Sequence, residues 1–172
     1  VLCNTNNSKY KENRAIAYNL AKEDFCFFAN NFAWIQNPRA DERKKEHKEI
    51  PFVLYPYQEY AAKEIIKAIE DGNDIPVEKS RDMGLSWLLI TIFVWGWHFH
   101  GWDLLVGSQK FENVDMVGNV KSLMGKARYV IERMPGWMRP KLVKKVHDKT
   151  GLLIHPGHGA TLAGESNNTN FG

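Results

Sequence analysis

The sequence has few of the features that mark extracellular or membrane-spanning proteins. Its 172 residues include two cysteines, Cys3 and Cys26, which excludes a disulfide framework and favours a reducing compartment. We recognise no secretory signal, because residues 4–7 are polar. The strongest apolar run, at residues 87–99, is shorter than the ~20 residues that cross a bilayer. This run predicts a buried helix, and no membrane partner is expected.

Metal-ligand and hydrolase patterns are also sparse. Among six histidines, His98 and His100 flank the end of an apolar helix, and His155 and His158 bracket a turn. We interpret these four as structural or solvated rather than as zinc ligands, because their spacing is not that of a metal site. No Ser/His/Asp triad or pair of catalytic carboxylates is indicated by spacing. Neither a zinc site nor a catalytic triad is therefore predicted from the sequence.

Charge of either sign is modest overall but concentrated in one region. The net charge is +3, which does not by itself identify a polyanionic partner. Residues 121–149 nevertheless carry nine Lys or Arg against Glu132 and Asp148, a surplus of seven positive charges. Two interpretations stay open: a surface that attracts a phosphate backbone, or charges spread over a solvated helix and hairpin.

Length and periodicity predict one α/β domain with a substantial core. Hydrophobic residues make up 44% of the chain, which includes six tryptophans. Residues 1–13 are expected to be frayed, and 39–49 to form a solvated segment of mixed charge. Helices are predicted at 14–31, from about 59 to Gly72, at 85–99 and at 112–134. Strands are predicted at 75–78, 102–108 (buried and parallel), 142–147, 152–155 and 160–163, with a turn at 148–151 and right-handed crossovers.

The stretch from Ile75 to Ile90 is the one with a chemical signature. It predicts a short strand, a polar loop and a helix that begins at Gly84-Leu85-Ser86, a layout that suits phosphate binding at a helix N-terminus. Against the pattern G-x-x-x-x-G-K-[ST], Lys79 takes the first glycine position and Leu85 the lysine position. Lys79 is positioned to replace the missing lysine, and Ser86 keeps the place that ligates Mg²⁺. The alternative is a simple polar turn between strand and helix.

Gln58 begins the preceding helix and is a candidate for base recognition. A glutamine amide presents a donor beside an acceptor, which matches the N6/N7 edge of adenine. The loop follows about 20 residues later. Without that loop, a solvated first-turn residue would be the preferred interpretation.

Four motifs in order resemble the large terminase subunits of tailed bacteriophages, the ATPases that drive genomic DNA into an empty capsid. The motifs are Asn31-Phe-Ala-Trp-Ile-Gln36, Pro51-Phe-Val-Leu-Tyr-Pro-Tyr-Gln58, Lys79-Ser-Arg-Asp-Met-Gly-Leu-Ser86 and Gly159-Ala-Thr-Leu-Ala-Gly-Glu-Ser166. The resemblance extends from about Phe25 onward. It implies a P-loop NTPase fold of the RecA type, with a mainly parallel sheet flanked by helices.

The same resemblance implies a set of site residues and ligands. ATP and Mg²⁺ are the implied cofactors, with Gln58 at the adenine, Lys79 and Arg81 as catalytic residues at the phosphates, and Ser86 at the metal. The implied nucleotide-binding segment comprises Lys79, Ser80, Arg81, Asp82, Met83, Gly84, Leu85 and Ser86. The implied partners are double-stranded DNA, the small terminase subunit, the portal protein and further copies in a ring, in the host cytoplasm.

The chain also departs from the family pattern. Family members continue to an apolar strand that ends in Asp-Glu and then to a nuclease domain, and residues 1–172 contain neither. We therefore expect an N-terminal helical or linker segment at 1–50 and the first portion of an ATPase domain at 51–172, incomplete at its C-terminal end and inactive alone. The alternatives are a nucleic-acid-binding module and a helicase-like ATPase fragment with a degenerate loop.

Overall fold

A computed structural model describes residues 8–37, 40, 47–116 and 118–166. The α-helices are α1 Ser8–Glu23, α2 Phe25–Phe32, α3 Pro56–Asp71, α4 Leu85–Trp95, α5 Phe111–Val114 and α6 Leu123–Arg133, and a π-helix spans Gly96–His100. The strands are β1 Trp34–Gln36, β2 Glu49–Pro51, β3 Leu104–Ser108, β4 Asp148–Lys149, β5 Leu152–Ile154 and β6 Thr161–Ser166. Most of the predicted mixed-charge segment at 39–49 lies outside the described residues.

The N-terminal region is more helical than its polar composition predicts. The helix begins at Ser8, so the expectation that residues up to 13 are frayed is wrong for 8–13. The single helix predicted at 14–31 is also wrong, because Asp24 divides it. The Asp24 carboxylate accepts the N–H groups of Cys26 (2.7 Å) and Phe27 (3.1 Å) and so caps α2. The Asp24 cap starts a new helix here, although the spacing of apolar residues continues without a break from α1 into α2.

Helix α3 confirms the predicted amphipathic helix and its end. Pro56 stands in the first turn, where its missing N–H has no cost. Gly72 follows the helix in the left-handed conformation (φ 67°), and its N–H donates to the carbonyls of Ala68 and Ile69. Ala62 and Ile65 are buried on the inner face. The helix thereby carries Gln58, in its first turn, at a fixed place.

The strand predicted before the loop is wrong. Residues 73–80 have no regular secondary structure and are exposed throughout. The two β-branched residues, Ile75 and Val77, are 39% and 41% exposed, and Pro76 between them lacks the N–H that a ladder needs. The segment leads to the loop as an extended, solvated connection.

Helix α4 confirms the predicted buried helix and runs into the π-helix up to His100. The Trp95 indole N–H donates to the Ala21 carbonyl (2.8 Å), and the fully buried Trp97 donates to the Ala160 carbonyl (2.9 Å). These two bonds attach α4 to the N-terminal helix α1 and the π-helix to the residue that precedes β6. No helix within the described ranges is long and apolar enough to cross a membrane.

The helix predicted at 112–134 is wrong as a single element. Helix α5 ends at Val114, and α6 begins only at Leu123. Gly118 adopts φ 76° between them. The Ser122 hydroxyl accepts the Gly125 N–H (3.2 Å) and donates to the Asn119 carbonyl (2.8 Å), which starts a new helix.

The larger sheet has the strand order β3-β6-β5-β4. Strand β3 is parallel to β6, whereas the β6–β5 and β5–β4 pairs are antiparallel, so the sheet is mixed instead of mainly parallel. The parallel strand at 102–108 is confirmed, but it is only partly buried, because Leu105 faces outward at 49% exposure. Strands β5 and β6 confirm the two last predicted strands. Sheet and flanking helices make a mixed α/β fold.

The strand predicted at 142–147 is wrong. That segment consists of irregular chain and turns with one isolated bridge between Lys144 and Asp148. Strand β4 occupies the first half of the turn predicted at 148–151. Val143 and Val146 are three positions apart and both 54% exposed, so they do not form the buried face that would stabilise a strand there.

Candidate functional site

The residues predicted to bind phosphate form an exposed loop directly before α4. Arg81 and Asp82 lie in a turn, and Asp82 is left-handed at φ 63°. Gly84 is the residue that caps α4, also left-handed at φ 73°. Two left-handed residues two positions apart bend the chain sharply at the helix start, which leaves backbone N–H groups at the loop.

Some backbone N–H groups at the start of α4 have no acceptor among the described residues. The N–H groups of Trp87 and Leu88 both donate to the Gly84 carbonyl (3.0 Å each). No acceptor within the described part of the chain meets the N–H groups of Gly84, Leu85 or Ser86. Free amides and the positive end of the helix dipole together favour an anion.

Two cationic side chains lie beside these amides in the sequence. Lys79 and Arg81 are both exposed, and neither forms an ion pair with any residue that the structure describes. Ser86 is exposed in the first turn of α4. The loop thus offers cations, amides and a hydroxyl to solvent, and phosphate binding there stays a prediction.

Gln58 is brought to the loop from 25 residues away. Its side-chain oxygen accepts the Tyr55 N–H (3.0 Å), and its amide nitrogen donates to the Met83 carbonyl (3.1 Å). A Cβ built on Gly84 would lie 2.8 Å from that nitrogen. Gln58 is 4% exposed, so the interpretation of a solvated first-turn residue is wrong.

This geometry gives Gln58 an anchoring role that the sequence did not reveal. The side chain joins the start of α3 to the residue before Gly84, so the loop is held by a buried amide. One amide N–H and one oxygen lone pair remain for another partner. Adenine recognition by Gln58 stays a prediction.

A pair of tyrosines next to Gln58 was missed as a feature of the site. The Tyr55 and Tyr57 rings stack with centroids 5.6 Å apart and planes 7° apart, and they are 63% and 44% exposed. The Tyr57 hydroxyl also donates to the Met83 carbonyl (3.4 Å). The Tyr-Pro-Tyr spacing before Gln58 is the sequence signal that could have identified this pair.

The histidines that the sequence separates come into contact. His98 Nδ1 lies 3.1 Å from His155 Nε2, and the His155 and His158 rings stack 3.8 Å apart. Burial, aided by His155, lowers the pKa of His98 to about 4. Burial and the neighbouring His158 lower the pKa of His155 to about 4. No group of three or more metal-binding side chains occurs in the described ranges.

The basic region at 121–149 divides into paired and unpaired charges. Arg128 bonds to the carboxylates of Asp115 and Asp148, both at 2.7 Å. The pKa of Asp115 is lowered, because the bonds from Arg128 and from the Gly151 N–H outweigh its burial. Lys126 is partly buried, and its ammonium lies 5.6 Å from the ring centroid of Trp87, which also meets the edge of Tyr129.

Arg133 pairs with Glu49 and lies over the Tyr129 ring. It therefore fastens α6 to β2, and with Arg128 and Lys126 it belongs to the scaffold rather than to an open surface. The lysines of the segment after α6 remain in solvent.

Comparison of the chain with models of known protein families gives no match, and comparison with curated proteins gives none either. The assignment of function accordingly depends on the loop and its surroundings.

Proposed function

We propose that this chain is the ATP-binding part of a viral DNA-packaging motor, a P-loop ATPase of the large terminase type. The observation that supports it is the exposed loop at 79–86. It combines backbone N–H groups at the start of α4 with two cations, and none of these groups has an acceptor or an ion-pair partner among the described residues. The hydrogen bond from the Gln58 amide to the Met83 carbonyl connects this loop to Gln58, which is proposed to recognise the adenine base.

In this proposal each loop residue has a stated task. Lys79 and Arg81 neutralise the β- and γ-phosphates, and the amides of Gly84, Leu85 and Ser86 donate to phosphate oxygens. The Ser86 hydroxyl is a hard oxygen ligand, which fits Mg²⁺. The bound metal neutralises charge on the phosphates. Ser80, Asp82 and Met83 shape the loop, with Met83 fixed through its carbonyl.

The partners follow from the same proposal. A packaging motor acts on double-stranded DNA, assembles as a ring of copies and engages a small terminase subunit and a portal protein, in the cytoplasm of the host. The proposal gives these contacts to surfaces outside the loop.

The experiment compares Lys79→Ala with Leu85→Ala in ATP binding, measured by isothermal titration calorimetry with Mg²⁺. Loss of a charge-assisted bond at Lys79 is expected to weaken binding by about 1.5–3 kcal/mol, or roughly 10- to 150-fold. Leu85→Ala should retain most of the affinity, because only its amide is used. A larger loss at Leu85, or equal losses, would contradict the role of Lys79.

Base preference tests the role of Gln58 separately. ATP and GTP affinities are measured for the natural chain and for Gln58→Ala. Loosening the loop weakens both nucleotides alike, whereas loss of base recognition lowers their ratio toward one. An unchanged ratio would leave Gln58 as an anchor of the loop only.

A nucleic-acid-binding module is the second candidate, favoured by the unpaired lysines after α6. Thermal unfolding with ATP or with duplex DNA separates the two candidate functions, because a ligand that binds the folded protein raises its melting temperature. Stabilisation by DNA alone would favour the second candidate over the ATP-binding motor, and a helicase-like fragment with a degenerate loop would give the same result.

A further inference from the structure

The segment that connects α6 to β5 carries an exposed group of lysines. We define the basic turn as residues 141–149, and its exposed members include Lys141, Lys144, Lys145 and Lys149. The only carboxylate in this range is Asp148, which accepts a bond from Arg128. None of the four lysines has an ion-pair partner within the described residues. Their charge is available to an outside partner.

The basic turn is held in one shape by its own hydrogen bonds. The Val143 N–H donates to His147 Nδ1 (3.1 Å), and the His147 N–H donates to the Val143 carbonyl (2.8 Å). The Lys145 N–H donates to the Asp148 carbonyl (3.1 Å), and the Ile154 N–H to the His147 carbonyl (2.8 Å). A preorganised turn presents its lysines at a small entropic cost on binding.

Lys145 occupies a backbone position that suits glycine better. Its φ of 68° is left-handed, a conformation that is unfavourable for a residue with a Cβ. The lysine side chain is exposed and forms no hydrogen bond or ion pair with another residue that the structure describes. Its presence is therefore explained better by an external contact than by the fold.

We infer that the basic turn binds the phosphate backbone of duplex DNA. The lysines lie around the turn as point charges for successive phosphates, and the exposed Val143 and Val146 supply small apolar contacts to the sugars. An anionic membrane fits less well, because interfacial anchors use large apolar side chains and this turn offers two valines. The inference rests on the proposed function for its choice of duplex, and it adds the surface that meets it.

The test uses Lys145→Gly, which is not expected to lower the stability of the fold but is expected to weaken DNA binding. Removing the left-handed lysine is expected to leave the melting temperature unchanged or raise it. Binding of a fluorescein-labelled 30-base-pair duplex, measured by anisotropy without nucleotide, should weaken roughly 5- to 10-fold at about 0.1 M salt. The slope of log affinity against log salt should become shallower by ~0.9.

Lys67→Ala is the matched control, since it removes one exposed lysine charge from α3. It should leave the affinity and the salt slope unchanged. Equal losses in both variants would overturn the inference in favour of nonspecific attraction, and so would an unchanged slope in Lys145→Gly.

Vesicles containing phosphatidylserine serve as the competing partner. Tighter, Lys145-dependent binding to vesicles than to DNA would also overturn the inference. ATP affinity in Lys145→Gly should be unchanged, so a failure of the loop at 79–86 and a failure of the basic turn give different results.

Discussion

Position 84 requires glycine for two reasons, its backbone conformation and its contact with Gln58. The chain must be left-handed there to enter α4, and a side chain would displace Gln58, because the Gln58 amide nitrogen lies only 2.8 Å from where a Cβ would stand. A motif search identifies this glycine through its neighbours in sequence. The contact with Gln58 was not predictable, since it depends on how α3 packs beside α4. At this position the residue type could be predicted from the motif, whereas the packing contact that requires glycine could not.

Gly84→Ala is expected to lower the free energy of unfolding by about 2–3 kcal/mol. About 1 kcal/mol comes from the left-handed backbone, and the rest from displacing Gln58 from its bond to Met83. Gly72→Ala is the control, because Gly72 has nearly the same φ but nothing within 4 Å of a built Cβ. Urea unfolding of both variants measures the difference. Equal losses would show that the Gln58 contact adds nothing.

At the scale of elements, the π-helix Gly96–His100 and the β5–β6 hairpin meet through histidines. His98 is 6% exposed and contacts His155, which follows β5. The pattern of apolar residues predicted α3, α4 and strands at 102–108, 152–155 and 160–163, which the structure places at 104–108, 152–154 and 161–166. It did not predict the breaks at Asp24 and between α5 and α6, because those depend on single capping side chains that a periodic pattern does not register.

Acidification is expected to weaken this junction. The pKa of His98 is about 4 in the fold, against about 6.5 in an unfolded chain, so the unfolded state takes up the proton first. Stability is therefore full above pH 6.5 and falls as the pH drops from 6.5 to 4, by about 3 kcal/mol for His98. Urea midpoints at pH 7, 5.5 and 4.5 measure the decline.

His98→Gln should reduce that pH dependence and leave the part due to His155, whose pKa is also about 4, whereas His47→Gln, at an exposed histidine, should keep it in full. If the His98 variant declines as steeply as the natural chain, carboxylates rather than this junction control the acid response.

At the scale of the whole molecule, one core joins the N-terminal helices to the rest. Buried residues of α1 and α2 belong to the same apolar cluster as those of α4 and β6. The resemblance to large terminase subunits implies a boundary near residue 50, and the division into 1–50 and 51–172 stays a prediction. Composition alone does not reveal that Phe28 is fully buried or that Trp95 donates to Ala21.

A chain that begins at residue 51 is expected to lose cooperative unfolding. It would expose the surface that Phe25 and Phe28 cover and would leave the Trp95 N–H without its acceptor. Near-ultraviolet circular dichroism during a thermal scan measures this, with a chain that begins at residue 8 as the control. A sharp transition in residues 51–172 would show that the N-terminal helices are dispensable to the core.

The placement of Trp87 has an optical consequence. Its backbone N–H donates to the Gly84 carbonyl, and its partly buried indole ring lies near the Lys126 ammonium and the Tyr129 ring. An anion that settles on the loop changes the electric field at this indole within one helical turn. The natural fluorescence of the chain therefore contains a reporter of the loop, and a Trp87→Phe difference spectrum isolates its signal from that of the other five tryptophans.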